Sequence, residues 1–112
     1  MFVINGDYWR IALVSANHPT LIRSDGSATI GCCDDIDKTI YIFKDLNREM
    51  FKKVLCHELT HAAMFSYGIY MDIMQEEVVA DLIATYGQEI INKTKSFSSN
   101  ADDMSVIVLY LC

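Results

Sequence analysis

Residues 54–63 read VLCHELTHAA, and this stretch decides how the chain is interpreted. Apart from Glu58 it is uncharged around its two histidines, as expected of a helix packed against a core. On such a helix His57 and His61 share one face, with their Cβ atoms about 6 Å apart. Both imidazoles can therefore bind one metal ion, and zinc (Zn²⁺) suits such ligands. Glu58 is rotated by about 100° from His57, so it can act on a water molecule as a general base.

A third ligand is expected further along the chain, because a catalytic zinc ion usually has three protein ligands. Residues 75–81 read QEEVVAD and belong to the next predicted helix, which a turn at Gly68 would fold back beside the first. Glu77 and Asp81 are four residues apart and share a face. We predict that Glu77 binds the metal and that Asp81 accepts a hydrogen bond from a ligand imidazole. Glu76 is expected on a different side of the helix; the alternative for all these acidic residues is a solvated face.

The rest of the pattern predicts an α+β protein. Residues 8–14, 29–33 and 39–43 are β-rich and separated by turn signals, which indicates a small, mostly antiparallel sheet. The first helix is expected to begin after an N-cap at Asn47 and to end at Gly68. The second is expected to cover residues 72–95, with Asp72 and Gln75 resembling a capping box. The apolar segment 104–112 fits a strand or a short buried helix equally well.

Length and composition narrow the classes of protein. The 112 residues are 52% apolar, which fits one domain spanning residues 1–112. A formal net charge of −6 argues against nucleic acid as the main partner. No apolar run reaches 18 residues, so no membrane span is expected, and the first residues do not resemble a signal peptide. The four cysteines form no C-x-x-C pair. Free thiols in a cytoplasmic protein fit this pattern better than a disulfide framework.

The motif His57-Glu58-Leu-Thr-His61, followed by Glu77 and Asp81, resembles the gluzincin pattern of the thermolysin kind. With a strand before the motif helix, residues 28–90 look more like the minimal zincins common in phages and mobile elements, including the ImmA/IrrE-like metallopeptidases. The resemblance implies a minimal zincin fold and a zinc-dependent metallopeptidase acting on a peptide or protein substrate. It also implies His57, His61 and Glu77 as ligands, Glu58 as the catalytic base, and an edge strand at residues 28–33 that binds extended peptide.

Several alternatives stay open beside this interpretation. Gly31-Cys32 upstream of the motif is similar to the peptide deformylase arrangement, but that would leave Glu77 and Asp81 unexplained; small buried apolar packing is the preferred role for the cysteines. A catalytically silent, zinc-stabilised partner-binding module is the main alternative function, and the presence of Glu58 favours activity. A zincin acting near DNA, as in SprT-like proteins, is disfavoured by the acidic composition. No oxyanion-stabilising residue stands out among Tyr67, Tyr70 and Tyr86, and His18 is expected to be an ordinary loop residue.

Overall fold

The computed structural model describes residues 1–98 and contains four strands and two helices. The elements are β1 (Phe2–Ile4), β2 (Asp7–Val14), β3 (Gly31–Asp34), β4 (Thr39–Phe43), α1 (Arg48–Tyr67) and α2 (Ile73–Ser98), with one turn of 3-10 helix at Pro19–Leu21. The α+β class and the predicted strand at residues 39–43 are confirmed. The strand predicted at residues 29–33 begins later, at Gly31, and runs to Asp34. The segment 104–112 lies outside the described residues.

The sheet is mixed, with the strand order β1-β2-β4-β3. The β1–β2 and β3–β4 pairs are antiparallel, but the central β2–β4 pair is parallel, with Ile11 opposite Ile40. Two of the three strand pairs within residues 1–98 are thus antiparallel, as expected of a mostly antiparallel sheet, and the central pair is the exception. Parallel neighbours require a long crossover connection, and the chain from Val14 to Thr39, which contains β3, supplies one. Residue alternation along a strand does not reveal strand direction, so the sequence could not show this pairing.

The first strand was not predicted, although the sequence contains its signal. Asn5 and Gly6 both have positive φ angles, 46° and 84°. An Asn-Gly pair with this backbone forms the two-residue turn that best matches the twist of a hairpin, and it pairs β1 with β2. The Asn5 side-chain amide also donates a 2.8 Å hydrogen bond to the Ser66 carbonyl. The hairpin is thereby tied to the last turn of α1.

One side of the sheet packs against α1. The shared core contains Trp9, Ile40 and Ile42 from the strands, with Val54 and Ala62 from the helix. Trp9 is fully buried, and its indole N–H donates a 2.8 Å hydrogen bond to Ser66 Oγ. Burying this large apolar side chain with its one polar atom satisfied fixes α1 on the sheet.

Both helices begin as their capping residues predict. The Asn47 side chain accepts a hydrogen bond from the backbone N–H of Met50, and α1 ends at Gly68 with φ 66°. The Asp72 carboxylate accepts from the backbone N–H groups of Met74 and Gln75 at the start of α2. The short connection returns α2 alongside α1. None of the helices within residues 1–98 is both long and apolar enough to cross a membrane.

Candidate metal centre

Three ligand-type side chains converge where α1 and α2 face each other. Nε2 of His57 lies 3.1 Å from Nε2 of His61. One carboxylate oxygen of Glu77 lies 3.1 Å from the His57 Nε2 atom, and the other lies 3.0 Å from the His61 Nε2 atom. These three side chains form a group that could hold one metal ion. The structure therefore brings together the three residues that the sequence singled out as ligands.

The outer nitrogen of each imidazole faces a carboxylate from α2. His57 Nδ1 lies 2.9 Å from Asp81 Oδ1, the contact expected for Asp81. His61 Nδ1 is hydrogen-bonded to Glu76 Oε1 at 2.7 Å. Carboxylates in these places favour the tautomer that carries its proton on Nδ1, which leaves the Nε2 lone pairs directed at each other and at Glu77.

The position of Glu76 corrects the sequence prediction. Glu76 was expected on another side of α2, but its side chain is only 13% exposed and contacts His61. Successive helical residues differ in direction by about 100°. Glu76 and Glu77 can therefore both reach α1 when α1 packs against the part of the α2 surface that lies between their two directions. The sequence contained one usable signal: two ligand imidazoles need two outer acceptors, and Asp81 supplies only one of them.

The donor set fits a divalent cation such as zinc. When both imidazoles are neutral and carry their proton on Nδ1, neither Nε2 atom can donate, and two lone pairs and a carboxylate face one another. A cation at their centre turns this repulsion into attraction. Four-coordinate zinc with 2.0–2.1 Å bonds separates neighbouring ligand atoms by about 3.3 Å. The observed separations of 3.0–3.1 Å are close to that spacing.

Glu58 lies beside this centre and is buried, with 7% of the residue exposed. No hydrogen bond within residues 1–98 involves its carboxylate. Every fully buried side-chain oxygen or nitrogen of these residues has a hydrogen-bond partner, so the Glu58 oxygens are open to the cleft that the residue lines. Burial raises the pKa of Glu58, and the neighbouring His61 and His57 partly offset this. Glu58 therefore has the location expected of a proton carrier, and its carboxylate forms no bond that supports the fold.

Strand β3 approaches Glu58 unusually closely because residue 31 is glycine. A Cβ atom at Gly31 would lie 2.7 Å from Val54 Cγ1 and 3.2 Å from Glu58 Oε1. The first of these distances is shorter than a van der Waals contact permits, so a side chain at this position would require Val54 or the strand to shift. Gly31 thus allows the edge strand to lie directly on the motif helix.

The site opens into a cleft with two arms that share His57, Glu58 and Glu77. The apolar arm, of about 690 Å³, extends toward the C-terminal end of α1 and is lined by Ile22, Phe65 and Ile73 together with Cys32 and Cys33. The second arm, of about 290 Å³, extends toward the N-terminal end of α1 and contains Met50 and the carboxylates of Glu58, Glu77 and Asp81. It is called the basic arm because Lys53 lines it and does not line the apolar arm. Arg23 lines both arms.

The other sequence candidates lie away from the metal centre or contribute only to its walls. None of Tyr67, Tyr70 and Tyr86 lines either arm. Cys32 and Cys33 are half-buried, Cys33 packs against the core, and burial raises the pKa of both thiols. Neither belongs to a metal-binding group within the described part of the chain.

His18 occupies the loop position that was expected. Its Nδ1 atom lies 2.8 Å from Thr20 Oγ1, and its ring stacks on Tyr41. These contacts give it a local structural role at the start of the 3-10 turn.

Comparison of the chain with protein-family models, curated proteins and solved structures gave no match. The chemistry of the site itself is therefore the guide to the function of this protein.

Proposed function

We propose that this chain is a zinc-dependent metallopeptidase with a minimal zincin fold. His57, His61 and Glu77 would hold the metal, and Glu58 would act as the general base. The main support for the proposal is the convergence of two Nε2 atoms and one carboxylate within about 3 Å of one another. Beside them lies Glu58, a largely buried residue whose carboxylate opens into the cleft and forms no hydrogen bond within residues 1–98.

The chemistry at the site divides between the metal and the protein. Zinc, when bound, supplies a Lewis acid that polarises a carbonyl and lowers the pKa of water toward about 7. Glu58 would accept a proton from the attacking water and deliver it to the leaving amine. Asp81 and Glu76 would hold the two imidazoles in the orientation and tautomer that metal binding requires.

Strand β3 is an edge strand of the sheet within residues 1–98, and its outer edge supports a peptide as the substrate. Phe43 N–H donates to the Ile30 carbonyl at 3.0 Å. This bond shows which residues of the β3 segment direct their backbone N–H and C=O groups toward β4. In an antiparallel pair the alternate residues, here Gly31 and Cys33, direct their backbone groups away from the neighbour. An extended peptide could add to the sheet at this edge. Gly31 would hold such a peptide next to Glu58.

A zinc-stabilised partner-binding module is the alternative that the experiment must exclude. The two functions differ in their need for Glu58. The metal centre would have its ligands and their hydrogen-bond partners without Glu58, and partial burial of the Glu58 carboxyl raises its pKa. A binding module would therefore gain no structural benefit from this side chain. This favours catalysis.

The test compares wild type with Glu58→Gln, which keeps the size of the side chain and removes its basicity. We expect the variant to fold, to bind one zinc ion and to capture the same target, but to lose activity by about 10²–10⁴-fold. Newly generated protein termini in a cell lysate are the measurement, and Glu49→Gln on the exposed start of α1 is the matched control. Capture of one partner by both proteins, with no Glu58-dependent termini, would establish the binding module instead.

A further inference from the structure

The two arms of the cleft differ in chemistry, and they follow one another along the direction of β3 and α1. Strand β3 and helix α1 both run from the basic arm to the apolar arm: Met50 and Lys53 precede the metal-binding turn, whereas Phe65 follows it. On β3, Gly31 lies at the junction and Cys33 lies in the apolar arm. A peptide seated along this edge would therefore meet an apolar surface on one side of the metal centre and a basic surface on the other.

The cations of the basic arm are available to a ligand. Neither Arg23 nor Lys53 forms an ion pair with any carboxylate within residues 1–98. Asp25, close to Arg23 in the sequence, accepts hydrogen bonds from Ser27. Two of the three carboxylates of this arm are engaged, since Glu77 faces both imidazoles and Asp81 faces His57 Nδ1. The third, Glu58, is replaced by glutamine in the binding experiment below. In a protein of net charge −6, Lys53 thus places a positive charge at one end of the cleft, and Arg23, which lines both arms, places a second one at their junction.

The apolar arm complements an aliphatic or aromatic side chain. Ile73 and Ile22 are 66% and 42% exposed, and they face the arm together with Phe65. Covering such surface removes apolar area from water, which favours binding.

We infer that the substrate is a peptide with apolar residues before the scissile bond and acidic residues after it; this inference rests on the proposed function. The order follows from antiparallel addition to β3, the commoner and slightly more stable pairing. A peptide antiparallel to β3 has its N-terminal half in the apolar arm and its C-terminal half beside Arg23 and Lys53.

The experiment measures binding separately from cleavage. The zinc-loaded Glu58→Gln chain is titrated into a fluorescein-labelled eight-residue peptide with two central leucines followed by two glutamates. Matched peptides carry two lysines in place of the glutamates, or the glutamates before the leucines. We expect the leucine–glutamate peptide to bind at least about tenfold more tightly than either, with the advantage over the lysine peptide shrinking as salt screens the charges.

Charge reversal gives the decisive control. In the double variant Arg23→Glu, Lys53→Glu, the lysine peptide should become the tighter ligand. Arg48→Glu, Lys52→Glu changes the net charge equally, but neither residue lines the two arms, so the original order should remain. Ile73→Ser should weaken binding of the leucine–glutamate peptide by about fivefold or more.

The outcomes separate the two proposals. Three results would overturn the substrate assignment. The three peptides could bind equally, the peptide with its glutamates before the leucines could bind most tightly, or the order of affinities could stay the same after charge reversal at Arg23 and Lys53. In a parallel experiment, wild type is incubated with a peptide library, and the sequences around the cleaved bonds are determined. Glu58-dependent cleavage without an acidic preference would overturn this assignment and leave the peptidase standing. Selective binding without any Glu58-dependent cleavage would support the ligand class and overturn the peptidase.

Discussion

Nδ1 of His61 is hydrogen-bonded at 2.7 Å to Oε1 of Glu76, the residue immediately before Glu77. Two consecutive glutamates of α2 therefore contact the same imidazole from opposite sides, because Glu77 lies 3.0 Å from its Nε2 atom. The Glu76 carboxylate contacts the outer nitrogen of the ring, and the Glu77 carboxylate contacts the nitrogen that would face the proposed metal. The two roles make different demands on the side chains, and substitution can distinguish them.

Glu77→Ala should weaken zinc binding more than Glu76→Ala or Asp81→Ala. Loss of Glu77 removes a ligand, whereas loss of either orienting carboxylate should lower zinc affinity by about 10–100-fold. Competition with a zinc-binding dye measures the affinities, and Glu89→Ala on the exposed part of α2 is the control. Equal affinity of Glu76→Ala and the control would show that Glu76 does not orient His61.

Purified protein should contain one zinc ion per chain. His57→Ala and His61→Ala should each abolish stoichiometric binding, because the remaining imidazole and Glu77 provide only two ligands. The third histidine provides a matched control: His18→Ala should retain the metal, since His18 contacts Thr20 and Tyr41 instead. Metal analysis after gel filtration is the measurement. Full zinc content in both site variants would overturn the assignment.

Gly31→Ala should destabilise the fold and reduce any cleavage activity. Its new Cβ atom would lie 2.7 Å from Val54 Cγ1, and forced overpacking of this kind costs about 1–3 kcal/mol. Chemical denaturation measures the free energy of unfolding. A double-mutant cycle with Val54→Ala tests the cause, because Gly31→Ala should cost less once the valine methyl groups are removed. The same cost in both backgrounds would contradict the proposed clash.

Ser66→Ala should lower the free energy of unfolding by about 1–3 kcal/mol, because it leaves the indole N–H of Trp9 buried without a partner. Ser15→Ala, in an exposed loop, is the control and should change stability by less than about 0.5 kcal/mol. Zinc content should be unaffected, since Ser66 lies outside the metal centre. A Ser66→Ala chain as stable as the control would show that the hydrogen bond contributes little to fixing α1.

Local patterns identified the elements that depend on nearby residues. The four-residue spacing of His57 and His61 places both on one face of any helix, and Asn47 and Gly68 set the ends of that helix through their own backbone and side-chain chemistry. The strand at residues 39–43 was predicted from another local signal, its β-rich composition between turn residues. Asn5-Gly6 belongs to the same class of signals, and it would have revealed β1.

Contacts between distant residues were decided only by the tertiary structure. The parallel pairing of β2 with β4 depends on the course of a long connection, and strand alternation does not encode direction. Glu76 faces His61 because the packing of α2 on α1 sets its rotation, which the spacing within α2 leaves free. The closeness of Gly31 to Val54 likewise follows from how β3 lies across α1. Sequence alone determined which residues share a helix face, because backbone geometry fixes that locally; which faces meet depends on the packing of the whole core.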